Sequence, residues 1–142
     1  MTDIPNPNTV SPTSTIEIEQ GDRFLPKFDA NGLLPVIVTE ASSGTVLMFA
    51  YMNAEALKLS LETRIAHFWT RSRQRLWKKG EDSGNLLTIL DARTDCDQDV
   101  LWLSVAIAGQ GVACHTGSHS CFYRKVALSP GSQGTPLSRS EV

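Results

Sequence analysis

An α+β architecture, a compact and mostly antiparallel β-sheet domain with one or two short helices, follows from three features of the sequence. Short apolar runs rich in β-branched or aromatic residues recur at 36–38, 46–51, 65–70, 86–90, 100–107 and 121–126, as strands require. A single segment carries both a helix cap and an apolar helical stripe. The helical crossovers that a parallel doubly wound sheet needs are missing.

The elements read in order as follows. Pro35 opens a β-branched run of Val36, Ile37 and Val38, and Ser42, Ser43 and Gly44 then supply a turn. The second run ends at Tyr51, which predicts a hairpin. Asn53 suits a helix N-cap, with Glu55 in the first turn where the helix dipole favours a carboxylate. Ala56, Leu57, Leu59, Ser60 and Leu61 form an imperfect stripe, so the helix is short and ends near Thr63. In the strand at 65–70, His67 and Trp69 share one face. The strand at 86–90 continues toward Arg93, the run at 100–107 stops at Gly109 and Gly111, and 121–126 reads as a final strand.

One domain fits 142 residues with 41% hydrophobic and 20% charged content. Residues 21–128 are the expected folded unit. Residues 1–20, with Pro5, Pro7 and Pro12, read as a flexible N-terminal tail. Residues 129–142, with Pro130, Gly131, Gly134 and Pro136, read as a flexible C-terminal tail. A formal charge of −2 gives no global pull toward nucleic acid or anionic lipid, and neither is an expected partner. The first residues lack the basic and apolar regions of a secretory signal, so a cytoplasmic protein is expected.

Two clusters carry chemistry. Asp95, Asp97 and Asp99 alternate with Cys96 and Gln98, and such crowded carboxylates repel unless a hard cation such as magnesium (Mg2+) joins them. An extended segment would point the carboxylates one way and Cys96 the other. A calcium EF-hand is excluded, because Val100 stands where its glycine must be and Ala106 where its glutamate must be. A solvated polar turn remains open. Further on, Cys114 and Cys121 flank a Gly-containing loop with His115 and His119. With Cys96 they supply three thiolates for zinc (Zn2+), leaving a fourth position free as catalytic zinc sites do. The competing interpretation makes the three cysteines small core residues. An odd, low cysteine count argues against a disulfide framework.

A basic segment precedes these clusters. Seven of the 13 basic residues are Arg64, Arg71, Arg73, Arg75, Lys78, Lys79 and Arg93. Arg71, Arg73 and Arg75 share a face if this stretch is a strand, and Trp69 and Trp77 offer surfaces for a base. The segment reads either as a phosphorylated-nucleotide pocket or as a charged edge strand. The phosphate-loop pattern GxxxxGK[ST] is absent.

The chain resembles the phosphoribosyl-AMP cyclohydrolase family of histidine biosynthesis. Four stretches carry the resemblance: Phe68-Trp69-Thr70-Arg71-Ser72-Arg73, Leu76-Trp77-Lys78-Lys79-Gly80-Glu81-Asp82-Ser83-Gly84-Asn85, the acidic run at 95–99, and Ala113-Cys114-His115-Thr116-Gly117-Ser118-His119-Ser120-Cys121-Phe122. It implies hydrolysis of the purine ring of 1-(5-phosphoribosyl)-AMP between N1 and C6. It also implies an intertwined homodimer with zinc near the subunit interface, held by Cys96, Cys114 and Cys121, and magnesium on Asp95, Asp97 and Asp99. His115 is the first choice for moving the proton and His67 the second, since imidazole titrates near neutral pH. Arg71, Arg73 and Lys79 are expected on phosphate, Trp69 on the base, and Glu81 beside a basic side chain or a ribose hydroxyl. A nucleobase deaminase is disfavoured because its H-x-E…P-C-x-x-C arrangement is absent. A closed structural zinc module without turnover is the non-enzyme alternative.

Overall fold

The structure, a computed structural model, describes residues 14–142. Its elements are α1 (Thr15–Gln20), β1 (Leu34–Glu40), β2 (Val46–Met52), α2 (Ala54–Thr63), β3 (His67–Thr70), β4 (Arg75–Lys78), β5 (Leu87–Thr94), β6 (Leu101–Ile107), β7 (Arg124–Lys125) and β8 (Ser138–Arg139). The fold is α+β, with antiparallel pairing in all but one strand pair and two helices among the described residues. No described helix is long and apolar enough to cross a membrane.

A four-stranded sheet in the order β2-β1-β6-β5 forms the centre. Alternation builds it: Val36, Val38, Leu101, Leu103 and Val105 point into the core, while Ile37 and Trp102 face out. The β1–β2 hairpin is antiparallel, as its turn residues predict. The β1–β6 pair is parallel, because the chain reaches β6 only after passing through α2 and the β3–β4 hairpin. The absence of helical crossovers therefore excluded a doubly wound sheet but not a single parallel pair.

Helix α2 matches its local signals. The Asn53 side chain accepts a hydrogen bond from Ala56 N at 2.9 Å, and Arg64 caps the other end with φ 60°. Ala56, Leu57 and Ser60 are its buried residues. The Ser60 hydroxyl accepts from His67 N at 2.8 Å and donates to His67 O at 3.1 Å, which ties α2 to β3.

Three expectations change. Residues 71–74 are the turn of the β3–β4 hairpin, so Arg71 and Arg73 do not share a strand face with Arg75. Gln74 takes φ 51° there, a value suited to a tight turn. The expected strand at 121–126 shrinks to β7, because Cys121 N donates instead to Leu47 O at 2.8 Å on the β2 edge. The chain ends also differ from plain tails. Residues 1–13 of the expected N-terminal tail lie outside the described residues, and Thr15–Gln20 is helical with Ser14 as its N-cap. In the expected C-terminal tail, β8 pairs with β7.

Gln98 holds the N-terminal segment in place. Its buried side chain accepts from Leu25 N at 2.6 Å and donates to Ile18 O at 2.9 Å and Arg23 O at 3.2 Å. Its own carbonyl accepts from Lys27 N at 2.7 Å. Nothing in the sequence marks this glutamine as demanding, because its partners lie more than 70 positions away. Gln98→Ala should cost about 2 kcal/mol, since it strips partners from several part-buried polar groups. Denaturant unfolding would measure the loss, and amide exchange should speed up across residues 18–27. An unchanged midpoint would refute the bracing role.

Candidate functional site

A cleft of about 700 Å³ opens beside β4. One wall is the basic segment, with Arg73, Arg75, Lys79 and Glu81, and the opposite wall runs from Gln110 to Gly117. Asn85 joins the walls, for its Oδ1 accepts from Gln110 N at 2.8 Å. Gly109 packs against the same side chain, and a Cβ there would stand 2.6 Å from Asn85 Oδ1. Gly80 has φ +85°, and a side chain on it would collide with the Asn85 carbonyl. A second opening, also about 700 Å³, shares Arg73, Trp77, Lys79 and His115 and adds Cys121, Phe49 and Phe122.

The cysteine loop is a closed turn. Gly117 N donates to Cys114 O at 3.0 Å, and Cys114 N donates to Ser118 O at 3.1 Å. The Thr116 hydroxyl donates to Cys114 Sγ at 3.0 Å. His119 braces the loop from behind, with Nδ1 at 2.8 Å from Gly111 O and Nε2 at 3.2 Å from Glu40 Oε1.

The cleft electrostatics separate the two thiols. Desolvation pushes Cys114 up, but the Thr116 hydroxyl and backbone, the Cys121 thiol and the Lys79 charge outweigh it and leave Cys114 below its ordinary value. Cys121 is pushed up to about 11, first by burial and then by Cys114. Burial lowers Lys79, with the two thiols opposing. The two sulfurs are thus neighbouring soft donors beside a cation, a donor set that fits one side of a thiophilic ion. Among the described residues, no third His, Cys, Asp or Glu donor stands within 4.8 Å of both.

Cys96 is elsewhere. It is exposed and lines a separate groove with Ile18, Arg23 and Phe24. The acidic residues around it converge through a turn, not through the extended segment expected from alternation. Asp95 Oδ1 accepts from Asp99 N at 3.0 Å and Val100 N at 3.3 Å, and Gln98 has φ 58°. One oxygen from each of Asp95, Asp97 and Asp99 lies within 4.8 Å of the others, which fits a hard divalent cation. Desolvation pushes Asp95 up, but hydrogen bonds from Asp99, Asp97 and the backbone hold it below its ordinary value. Hydrogen bonding to Asp97 and Asp95 drives Asp99 up to about 6.

The remaining expected residues divide. Arg73, Lys79, Glu81 and His115 meet at the first cleft. Trp69 and Arg71 line a neighbouring depression, where the Arg71 guanidinium sits 4.1 Å from the Tyr51 ring centroid. His67 lines none of these surfaces; it is buried, with Nδ1 at 2.7 Å from Ile65 O. Asn85 and Gln110 were not singled out from the sequence. Asn85 stands in the stretch that carries the resemblance and in a polar turn, and Gln110 stands between the strand-ending Gly109 and Gly111, but the sequence assigns neither a role.

The family profile described as Phosphoribosyl-AMP cyclohydrolase matches residues 48–123. The chain is 58% identical over 120 residues to the protein of that name from Brucella canis, covering 84% of this chain and 86% of that one. The Brucella anthropi protein of that name is also 58% identical over 120 residues, covering 84% of this chain and 85% of its own. That from Agrobacterium fabrum is 54% identical over 134 residues, covering 94% and 88% respectively.

The acidic turn generates a pH prediction. Asp99, raised to about 6, takes up a proton as the pH falls through that value and removes one negative charge from the site. Divalent-cation affinity should therefore drop by roughly tenfold between pH 7.5 and pH 5. Asp99→Asn should flatten the dependence around that pH. Titration with manganese followed by spin resonance would read both, and an affinity of the wild-type chain that ignores pH would contradict the shift.

Proposed function

The chain belongs to the phosphoribosyl-AMP cyclohydrolase family, hydrolases of the histidine pathway, and from that premise we propose how its residues perform the reaction. The substrate is 1-(5-phosphoribosyl)-AMP, opened between N1 and C6 to the phosphoribosylformimino-aminoimidazole carboxamide ribotide. Cys114 and Cys121 of one copy and Cys96 of a second copy would hold zinc. When bound, zinc supplies the Lewis acidity that lets water act as a nucleophile near neutral pH.

One observation carries this reading: Cys114 at the cleft and Cys121 at the adjoining opening are neighbouring soft donors with no third such donor beside both among the described residues, while the remaining thiol is exposed on another surface. A second copy that delivers Cys96 also delivers Asp95 and Asp97, its covalent neighbours. Asp95, Asp97 and Asp99 would then hold magnesium near the basic wall, where it would supply a hard cation for substrate phosphate. An apolar row on the outer sheet face adds surface suited to association. Phe49, Ile37 and Trp102 align across β2, β1 and β6 and stay 48%, 36% and 44% exposed.

The chain's own residues then have distinct tasks. Arg73 and Lys79 bind phosphate at the cleft, and Arg71 does so from the adjoining depression, with Trp69 beside it for the base. Glu81 orients a basic side chain or a ribose hydroxyl. Water's oxygen bonds to C6 as the C6–N1 bond breaks, the exocyclic nitrogen remains as carboxamide, and a proton must reach N1. His115, in the cleft and next to Cys114, carries that proton. The buried ring of His67 and its contact with Ile65 O favour a structural task for the second candidate.

A complementation assay tests the shared site. Cys96→Ala and Cys114→Ala should each abolish turnover of the ring-opening substrate. Co-refolding them should restore roughly a quarter of wild-type activity, because half the pairs are mixed and each mixed pair keeps one intact site. Subunit exchange without recovery would rule out the division of ligands between copies.

A further inference from the structure

We infer that Arg139 is a positioning residue for the cysteine loop, and that β8 carries it there as a clasp. The inference rests on the proposed function only in taking the thiols of that loop as metal ligands.

The loop is tied by its backbone at both ends, through Cys114 N to Ser118 O and Cys121 N to Leu47 O. Its midpoint is Ser118, 4% exposed, whose hydroxyl accepts from Arg139 Nη2 at 3.0 Å. The guanidinium, on a side chain 65% exposed, has two further partners. It stands 4.9 Å from the Tyr123 ring centroid, and Nη2 also reaches Glu141 Oε1 at 2.7 Å. Ser138 and Arg139 pair with Lys125 and Arg124, and Ser140 N donates to Tyr123 O at 2.8 Å.

This arrangement has a consequence for the cleft. Cys114, His115 and Gly117 line it, and all lie within four positions of Ser118. An arginine is suited to the task because its planar group offers several donors and an aromatic-stacking face together. The clasp also lies beyond residues 48–123, so the family profile does not cover it. Composition had marked this stretch only as a Pro- and Gly-containing tail.

Alkylation of the metal-free, full-length chain tests the clasp without relying on zinc. Iodoacetamide labelling, resolved by peptide mass, gives a separate rate for each cysteine. Arg139→Ala should label Cys114 roughly tenfold faster, the factor expected for losing a hydrogen bond from a charged donor. Cys96, exposed on another surface, should keep its rate. Arg139→Lys should recover part of the protection, since an ammonium still donates to Ser118 but presents no planar face to Tyr123. Equal Cys114 rates in wild type and Arg139→Ala would overturn the inference. So would a parallel rise at Cys96, which would mark general loosening. Zinc uptake by the wild-type chain is read separately, and its failure would defeat the metal assignment while leaving the labelling result intact.

Discussion

Two sulfur atoms held side by side at the edge of a basic cleft set the terms for everything else in this molecule. Their placement depends on backbone bonds, not on sequence proximity alone. Cys121 is fixed by the β2 edge through Leu47, and Cys114 by the turn it closes with Gly117 and Ser118. The four-stranded sheet supplies the fixed edge, and Asn85 joins the walls on either side. Uneven surroundings then shift the two thiols in opposite directions. Thr116, Cys121 and Lys79 outweigh desolvation at Cys114, while burial and Cys114 itself keep Cys121 a weaker acid.

Within one chain the remaining cysteine, Cys96, lies on a different surface. That thiol sits in a turn where Asp95 accepts from the backbone of Asp99 and Val100, on a surface bordered by the N-terminal segment. Cys96 is covalently flanked by Asp95 and Asp97, so in the proposed arrangement the acidic group accompanies it. A soft-donor site and a hard-donor site are thereby linked through a few residues of backbone.

Local signals in the sequence translated well into structure. Asn53 capped its helix because a side-chain oxygen needs only a backbone N–H three residues away. The alternation in β1 and β6 marked their buried faces, because a strand repeats every two residues. Arg73, Lys79, Glu81 and His115 line one cleft, while Trp69 and Arg71, expected beside them, line a neighbouring depression. What escaped was set by distant partners. Gln98 looked ordinary until its contacts with Ile18, Arg23 and Leu25 appeared. The run at 121–126 had strand composition, but the tie to Leu47 left only two residues for a ladder. Alternation suggested an extended acidic segment, whereas Gln98 at positive φ turns it back on itself.

The central claim is that the metal binds three sulfurs, two from this cleft and one from Cys96 of another copy. Zinc K-edge absorption on the loaded protein measures it directly. Wild type should show three sulfur scatterers at about 2.3 Å and one lighter neighbour, and Cys96→Ser should show two. A sulfur shell unaffected by that replacement would contradict the account.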